Sequence, residues 1–258
     1  MIHPTAIVHP NAKIGRSAEV GPYCIVGEHV EIGERTVLQA HVVINGWTTL
    51  GEDCIIYPFT TLGAASQDRK YLGERAFTRI GNRTTIREYV SIQRATGNDE
   101  VTAVGDDCLL LAYVHIAHNC MVGNHVTMSN LAQLAGHVIV HDHVTIGGMA
   151  GIHQFTRIGA YAMLGGASKV TKDVPPFLLV EGNPAEVYGL NSVGLRRARF
   201  SVEVRNELKA FHELLYKANL NVSQAVERMR ERVSTDEGRT FVEFLEEPPN
   251  DSSRGILK

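Results

Sequence analysis

Three short segments hold histidine beside small or polar residues: His115-Ile116-Ala117-His118, Ala135-Gly136-His137 and His153-Gln154-Phe155. An imidazole titrates near neutrality, so one of these rings is suited to take a proton from an attacking hydroxyl. Three rings together could instead hold zinc and activate water. Either chemistry requires a fold that gathers residues far apart in the chain. His125 and His143, 18 residues apart at a position otherwise filled by Asn, Arg and other polar residues, read as a solvated ladder instead. Cys24, Cys54, Cys108 and Cys120 lack the close paired spacing of a disulfide framework or a zinc site. They read as small packing groups.

The element that must do the positioning is set by a six-residue period. From Ile2 to Val170 every sixth residue is Ile, Val, Leu or Met, except at Asp68, Glu74 and Asn98. A period this regular makes each hexad one short strand and one corner, and the chain a solenoid burying a continuous aliphatic ladder. Glycine recurs just after the aliphatic slot (Gly15, Gly33, Gly51, Gly81, Gly105), where a turn is expected to need it. The polar slots predict two projecting loops, one from Gly63 to Arg79 and a shorter one over 97–100. Val174-Pro175-Pro176 ends the pattern, because consecutive prolines cannot donate to a ladder.

Residues 1–189 are therefore read as the solenoid domain and 190–258 as a helical one. Val204, Leu208, Phe211 and Leu215 have helical spacing behind an N-cap at Ser201, and Asn221 with Gln224 forms a capping-box pattern. A third helix is expected over 241–245, with a frayed tail over 248–258. A formal charge of -3 gives no whole-chain reason to bind nucleic acid or an acidic membrane. The start of the sequence enters the repeat at once, and no apolar run reaches membrane-spanning length, so a cytoplasmic protein is expected.

The hexads resemble those of the hexapeptide-repeat acyltransferases, which implies a mainly β fold: a left-handed parallel β-helix of three hexads per triangular coil with a C-terminal α-helical domain. Eighteen-residue coils would stack His118 below Gly136 and Gln154, bringing the three histidine segments to one corner. Segments 29–46, 67–74, 115–124, 134–140, 147–155, 173–185 and 194–200 narrow the resemblance to the acyl-carrier-protein-dependent UDP-N-acetylglucosamine O-acyltransferases of lipid A biosynthesis.

That resemblance implies direct transfer of a (3-hydroxy)acyl chain from acyl carrier protein to the sugar 3-hydroxyl, with no further cofactor and no metal. His118 matches the general base, and Gly136 the residue whose N–H stabilises the oxyanion. His115, His137, His153 and Gln154 match substrate-contacting or supporting positions, and Asp68 and Lys70 match sugar-nucleotide and acyl contacts. Asn191 and Arg197 match groups near the nucleotide, where a guanidinium can hold a diphosphate. Gly166 matches the position that limits acyl length, and glycine there leaves room for a longer chain. The family implies a homotrimer with sites between subunits, so that His118 and Lys70 are expected from different chains. Arg196, Arg197, Arg199 and Arg205 are candidates for an acidic carrier protein's docking surface.

Four positions depart from the family pattern. Asn119 stands where Asp is frequent, Gln93 where His is common, Val193 at an acidic nucleotide contact, and Ala198 within an Arg pair. Acylation of a 3-amino sugar, giving an amide, is the nearest alternative. A γ-carbonic-anhydrase-like zinc enzyme is a more distant one, since it leaves the sugar-nucleotide segments and the helical tail unexplained. A purely structural solenoid would favour a flat threonine ladder, which this chain lacks.

Overall fold

The computed structural model describes residues 1–247 and 255–258. Hexads alternate a two-residue strand with a two-residue corner, and successive strands go to three different parallel sheets. These are the faces of a prism. Face I runs from Ile7–Val8 to Lys169–Val170, face II from Lys13–Ile14 to Arg157–Ile158, and face III from Glu19–Val20 upward. The chain visits them in the order I, II, III, so each edge is always made by the same kind of corner.

Register confirms the rung length. Ile7 pairs with Ile25 and His115 with Gln133, each 18 residues on. Two rungs are longer: Thr61 pairs with Ser91, 30 residues on, and Phe77 with Val101, 24 residues on. The excesses are 12 and 6 residues, two hexads and one, matching the two polar slots Asp68 and Glu74 and the single slot Asn98. The extra chain is looped out at 65–76 and 94–100, both at the edge between faces I and II. The aliphatic slots point inward, and Ile56, Leu62, Ile86, Leu110 and Ile116 have no exposed surface. Fully burying such a side chain contributes about 1.5–3 kcal/mol, and every rung repeats it.

The glycine column serves the corners through its missing β-carbon rather than through a left-handed backbone. Gly15, Gly33, Gly51, Gly81 and Gly105 are not left-handed; a Cβ at Gly33 would lie 2.5 Å from Gly51 backbone, and one at Gly51 2.7 Å from Gly81. Their small size allows consecutive corners to approach. The left-handed residue comes two positions later and is usually not glycine, as at Asp53, Arg83, Asp107, His125 and His143. Each costs on the order of 1–2 kcal/mol. Neighbouring rungs offset that cost by stacking these side chains, as in the Phe59, Tyr89, Tyr113 column with centroids 4.8–5.0 Å apart. At the fifth hexad position the cysteines do more than fill space. Cys54 and Cys108 Sγ donate to Gly81 and Gly123 carbonyls at 3.1 Å, as Thr36 and Thr84 hydroxyls do to Gly51 and Gly105.

The sheet continues past Pro175-Pro176, contrary to the sequence reading. Leu178–Glu181 joins face III in parallel, Leu164 pairing with Val180, and Glu186–Leu190 turns back antiparallel through a cis Asn183-Pro184 bond. The prolines occupy a corner, where no ladder N–H is needed. Helix α1 (Ser192–Arg197) follows, then α2 (Val202–Tyr216), α3 (Val222–Arg230) and α4 (Asp236–Glu246). Ser201 caps α2, and Asn221 and Gln224 form the full capping box of α3. Much of the expected frayed tail, 248–254, lies outside the described residues. Residues 255–258 are docked: Ile256 bridges to Asp173, and Leu257 is buried. Asp173 also binds buried Arg157, which reaches Glu247 at the end of α4. Helix and tail thus cover the last rung and its open edge.

Candidate active site

Five successive corners build one edge, between faces I and II: the loops 65–76 and 94–100, then the corners holding His118, Gly136-His137 and Gln154-Phe155. His118 projects from its corner with its side chain 15% exposed. Its Nδ1 is 2.9 Å from Asn119 Oδ1, an oxygen that only accepts, so in the neutral ring the proton sits on Nδ1 and Nε2 holds the lone pair. Asp68 Oδ2 faces Nε2 at 3.9 Å. That is too long for a hydrogen bond and leaves Nε2 open to a substrate. The Lys70 N–H, at 3.0 Å, and then the charges of His118, Lys70 and His137 hold the Asp68 carboxyl below its usual range.

The rung above supplies the neighbours. His137 meets His118 edge-on at 5.2 Å and stacks on Phe155 at 4.7 Å. Burial, and next the charge on His118, lower the His137 pKa. Gly136 lies directly over the imidazole, and a Cβ there would stand 2.6 Å from His118 Cε1 and Nε2. Glycine at 136 is therefore required by the present position of the His118 ring. Among the described residues no acceptor takes the Gly136 N–H. At the edge between faces II and III the corresponding amides of Glu52, Asn82, Asp106 and Asn124 each donate to a side-chain oxygen at 2.7–2.9 Å.

His115 is on face I, its Nδ1 2.7 Å from Ser91 Oγ, and burial followed by the His118 charge lowers its pKa. With His153, Lys169 and Thr171 it flanks a groove of about 420 Å³ floored by Ala117, Ala135 and Gly151. His153 therefore belongs to the groove rather than to the His118–His137 pair, and its Nδ1 turns to Gln154 O at 3.1 Å. Gln154 is at the edge, above Gly136, and exposed. The three imidazoles do not converge on one point. Within one chain no three His, Cys, Asp or Glu gather as metal ligands among the described residues.

The other candidates occupy different edges. Gly166 is exposed at the edge between faces III and I, with Gly148 O the nearest atom a Cβ would meet, at 3.4 Å. Asn191 caps α1 by accepting from Gly194 N and donates to Tyr161 O, both at 3.0 Å, at the edge between faces II and III. Arg197 is exposed in the last turn of α1, and Val193 and Ala198 are exposed nearby. Lys70, expected from a different chain than His118, is tied by its backbone to Asp68, which faces His118 of the same chain. Gln93 is buried, and its Oε1 accepts the Gln67 N–H at 3.3 Å, anchoring the start of the long loop. Ser66, Ser91 and Thr96 also touch this network, and no motif in the sequence marks them.

Comparisons with known proteins bear on the fold and the family. A family model described as the second domain of UDP-N-acetylglucosamine O-acyltransferase matches residues 173–257, and the bacterial transferase hexapeptide model matches 11–46 and 29–64. The chain is 51% identical over 259 aligned residues to the acyl-[acyl-carrier-protein]–UDP-N-acetylglucosamine O-acyltransferase of Paracidovorax citrulli, and 49% identical to that of Burkholderia lata. Each alignment covers 100% of this chain and 99% of the relative. Among solved structures it resembles LpxA from Acinetobacter baumannii, with TM-score 0.95, 41% identity and coverage of 100% and 99% of the two chains. The Arabidopsis UDP-N-acetylglucosamine acyltransferase follows with TM-score 0.89 and 33% identity over the full length of both. The prism is thus the left-handed parallel β-helix with its C-terminal helices, and the chain belongs to the family of acyl-[acyl-carrier-protein]–UDP-N-acetylglucosamine O-acyltransferases.

Proposed function

We propose that this chain transfers an acyl group from an acyl carrier protein thioester to the 3-hydroxyl of UDP-N-acetylglucosamine, the opening reaction of lipid A biosynthesis. The observation that carries the reading is the pairing of an open His118 Nε2 with an unbonded Gly136 N–H on adjoining rungs. His118 Nε2 takes the hydroxyl proton as the oxygen attacks the thioester carbonyl. The Gly136 N–H stabilises the oxyanion that forms. Collapse of that adduct breaks the C–S bond, and the imidazolium returns its proton to the departing thiolate. Asp68, whose lowered pKa keeps it ionised, faces that imidazolium and is suited to orient the sugar. Lys70, His137 and Gln154 complete the wall around the sugar. His115 and His153 border the groove on face I.

The complete site needs more than one copy of the chain. His118 and Gly166 stand on different edges of one prism, so an acyl chain that meets both must lie between two prisms. The edge carrying Gly166 also exposes Phe59, Tyr89, Tyr113, Leu131 and Met149 in a continuous apolar line, with Met149 one rung below Ala167. A line of that kind is usually covered by a partner. Three copies in closed rotation would cover all three lines at once, the arrangement we propose. Asn191 and Arg197, on the third edge, are then placed to meet the nucleotide from the helical end. The exposed Arg196 and Arg199, with the half-buried Arg205 nearby, suit an acidic carrier protein.

The test is incubation of purified protein with UDP-N-acetylglucosamine, and in parallel with its 3-amino analogue, and a panel of acyl carrier protein thioesters, followed by mass analysis. A singly acylated sugar nucleotide, cleaved by mild base as an ester, is expected. A base-stable amide formed only on a 3-amino sugar would move the assignment to N-acylation. No product from any donor would overturn it.

A further inference from the structure

A carboxamide can offer a ring nitrogen either its oxygen or its NH₂, so the orientation of Asn119 decides which nitrogen of His118 holds the proton. Here Thr96 settles the orientation. The Thr96 N–H donates to Asn119 Oδ1 at 2.9 Å, and Thr96 O accepts from Asn119 Nδ2 at 3.1 Å. Turning the amide over would set donor against donor and acceptor against acceptor at once. The Asn119 backbone is fixed as well: φ is +58°, a conformation Asn tolerates, and its N–H donates to Thr102 Oγ1 at 2.8 Å.

The third polar group of Thr96 works on the opposite side of the ring. Its hydroxyl is 2.7 Å from Ser66 Oγ, which accepts the Asp68 N–H at 3.1 Å. Asp68 in turn faces His118 Nε2. Thr96 belongs to the shorter insertion, Ser66 and Asp68 to the longer one a rung below it, and His118 to the corner a rung above it. A chain of hydrogen bonds therefore runs from Nδ1 through Asn119, Thr96 and Ser66 to Asp68, whose carboxylate faces Nε2 across a gap of 3.9 Å. Because Asn119 is neutral, the carboxylate facing the ring is across Nε2 rather than behind Nδ1.

We propose that Thr96 is a positioning residue for acyl transfer: its peptide groups select the Nδ1–H tautomer of His118 through Asn119, and its hydroxyl holds the Asp68 loop across Nε2 through Ser66. This rests on the reading of His118 as the base. The tautomer can be read without turnover, from long-range ¹H–¹⁵N correlations of protein carrying ¹⁵N-histidine, with His118→Ala assigning the signal. Wild type at pH 8 should hold the proton on Nδ1. Thr96→Val keeps the peptide groups and loses the hydroxyl; KM for the sugar nucleotide should rise about tenfold, the scale of one lost hydrogen bond, with little change in kcat. Thr96→Ser should restore it. Asn119→Asp puts an anion behind Nδ1 and should move the acid limb of the kcat/KM profile to higher pH. A proton on Nε2 in wild type, an unchanged KM in Thr96→Val, or an unmoved limb in Asn119→Asp overturns the proposal. Wild type that makes no acylated product defeats the functional reading alone, and the ring spectrum still decides the tautomer.

Discussion

A methyl group at Gly136 would collide with the His118 ring, so Gly136→Ala must turn or push the imidazole away from Nε2's present position. Displacement of a reacting group by about 1 Å costs on the order of a hundredfold in rate. We expect that loss in kcat with the thermal midpoint nearly unchanged; wild-type turnover would show that the ring does not work from this position. The family resemblance marked Gly136 for its N–H, but its contact with His118 joins residues on successive rungs and has no local signature. The same limit applies to Thr96 and Ser66, two ordinary loop residues in the sequence that become partners only when both insertions fold onto one edge. Cys120 was legible as a packing group. Burial pushes its thiol up to about 12, so the native protein should resist a thiol reagent at pH 8 and react only on unfolding; rapid native labelling of Cys120 would contradict its placement.

Among the elements, the hexad was readable because each rung repeats the same burial, and the polar slots measured the insertions in whole hexads. The continuation over Leu178–Glu181 was not readable, since a Pro-Pro pair gives the same signal at a corner as at the end of a sheet. Helix α1 was missed because it is short and its cap, Asn191, was read as a nucleotide contact. Leu110 fills a slot on face III, far from the site edge, with no exposed surface. Leu110→Ala should cost about 2–5 kcal/mol of unfolding free energy by calorimetry or denaturant titration. Turnover per folded molecule should stay at the wild-type level. A loss of activity at temperatures where the variant is fully folded would mean that rungs are coupled more tightly than a stacked array implies.

For the molecule as a whole, five histidines share a direction. His115, His137, His141, His143 and His212 are each lowered from the ordinary value of 6.5, with burial the largest cause. Below about pH 6.5 the unfolded chain binds protons that the folded chain refuses, so acidification favours unfolding. The thermal midpoint should therefore fall between pH 7.5 and 5.5, and a flat or rising midpoint would contradict the burial of these rings. Spacing and resemblance together named the candidate residues, yet the distribution of His118, Gly166 and Asn191 over three edges emerged only from the corners. Gly166→Met meets ordinary contact with Gly148 O and no left-handed backbone. It should shift the preferred donor toward shorter acyl chains without loss of stability, and an unchanged preference would remove Gly166 from the acyl path.

The central claim is that proton removal by His118 drives the transfer. It is tested most directly by single-turnover acyl transfer from carrier-protein thioester to UDP-N-acetylglucosamine, comparing wild type with His118→Ala. General-base removal is worth about 10²–10⁴ in rate. The account requires a loss in that range, with the melting curve and the assembly mass of the variant matching wild type. A folded variant that transfers the acyl group at the wild-type rate would contradict it.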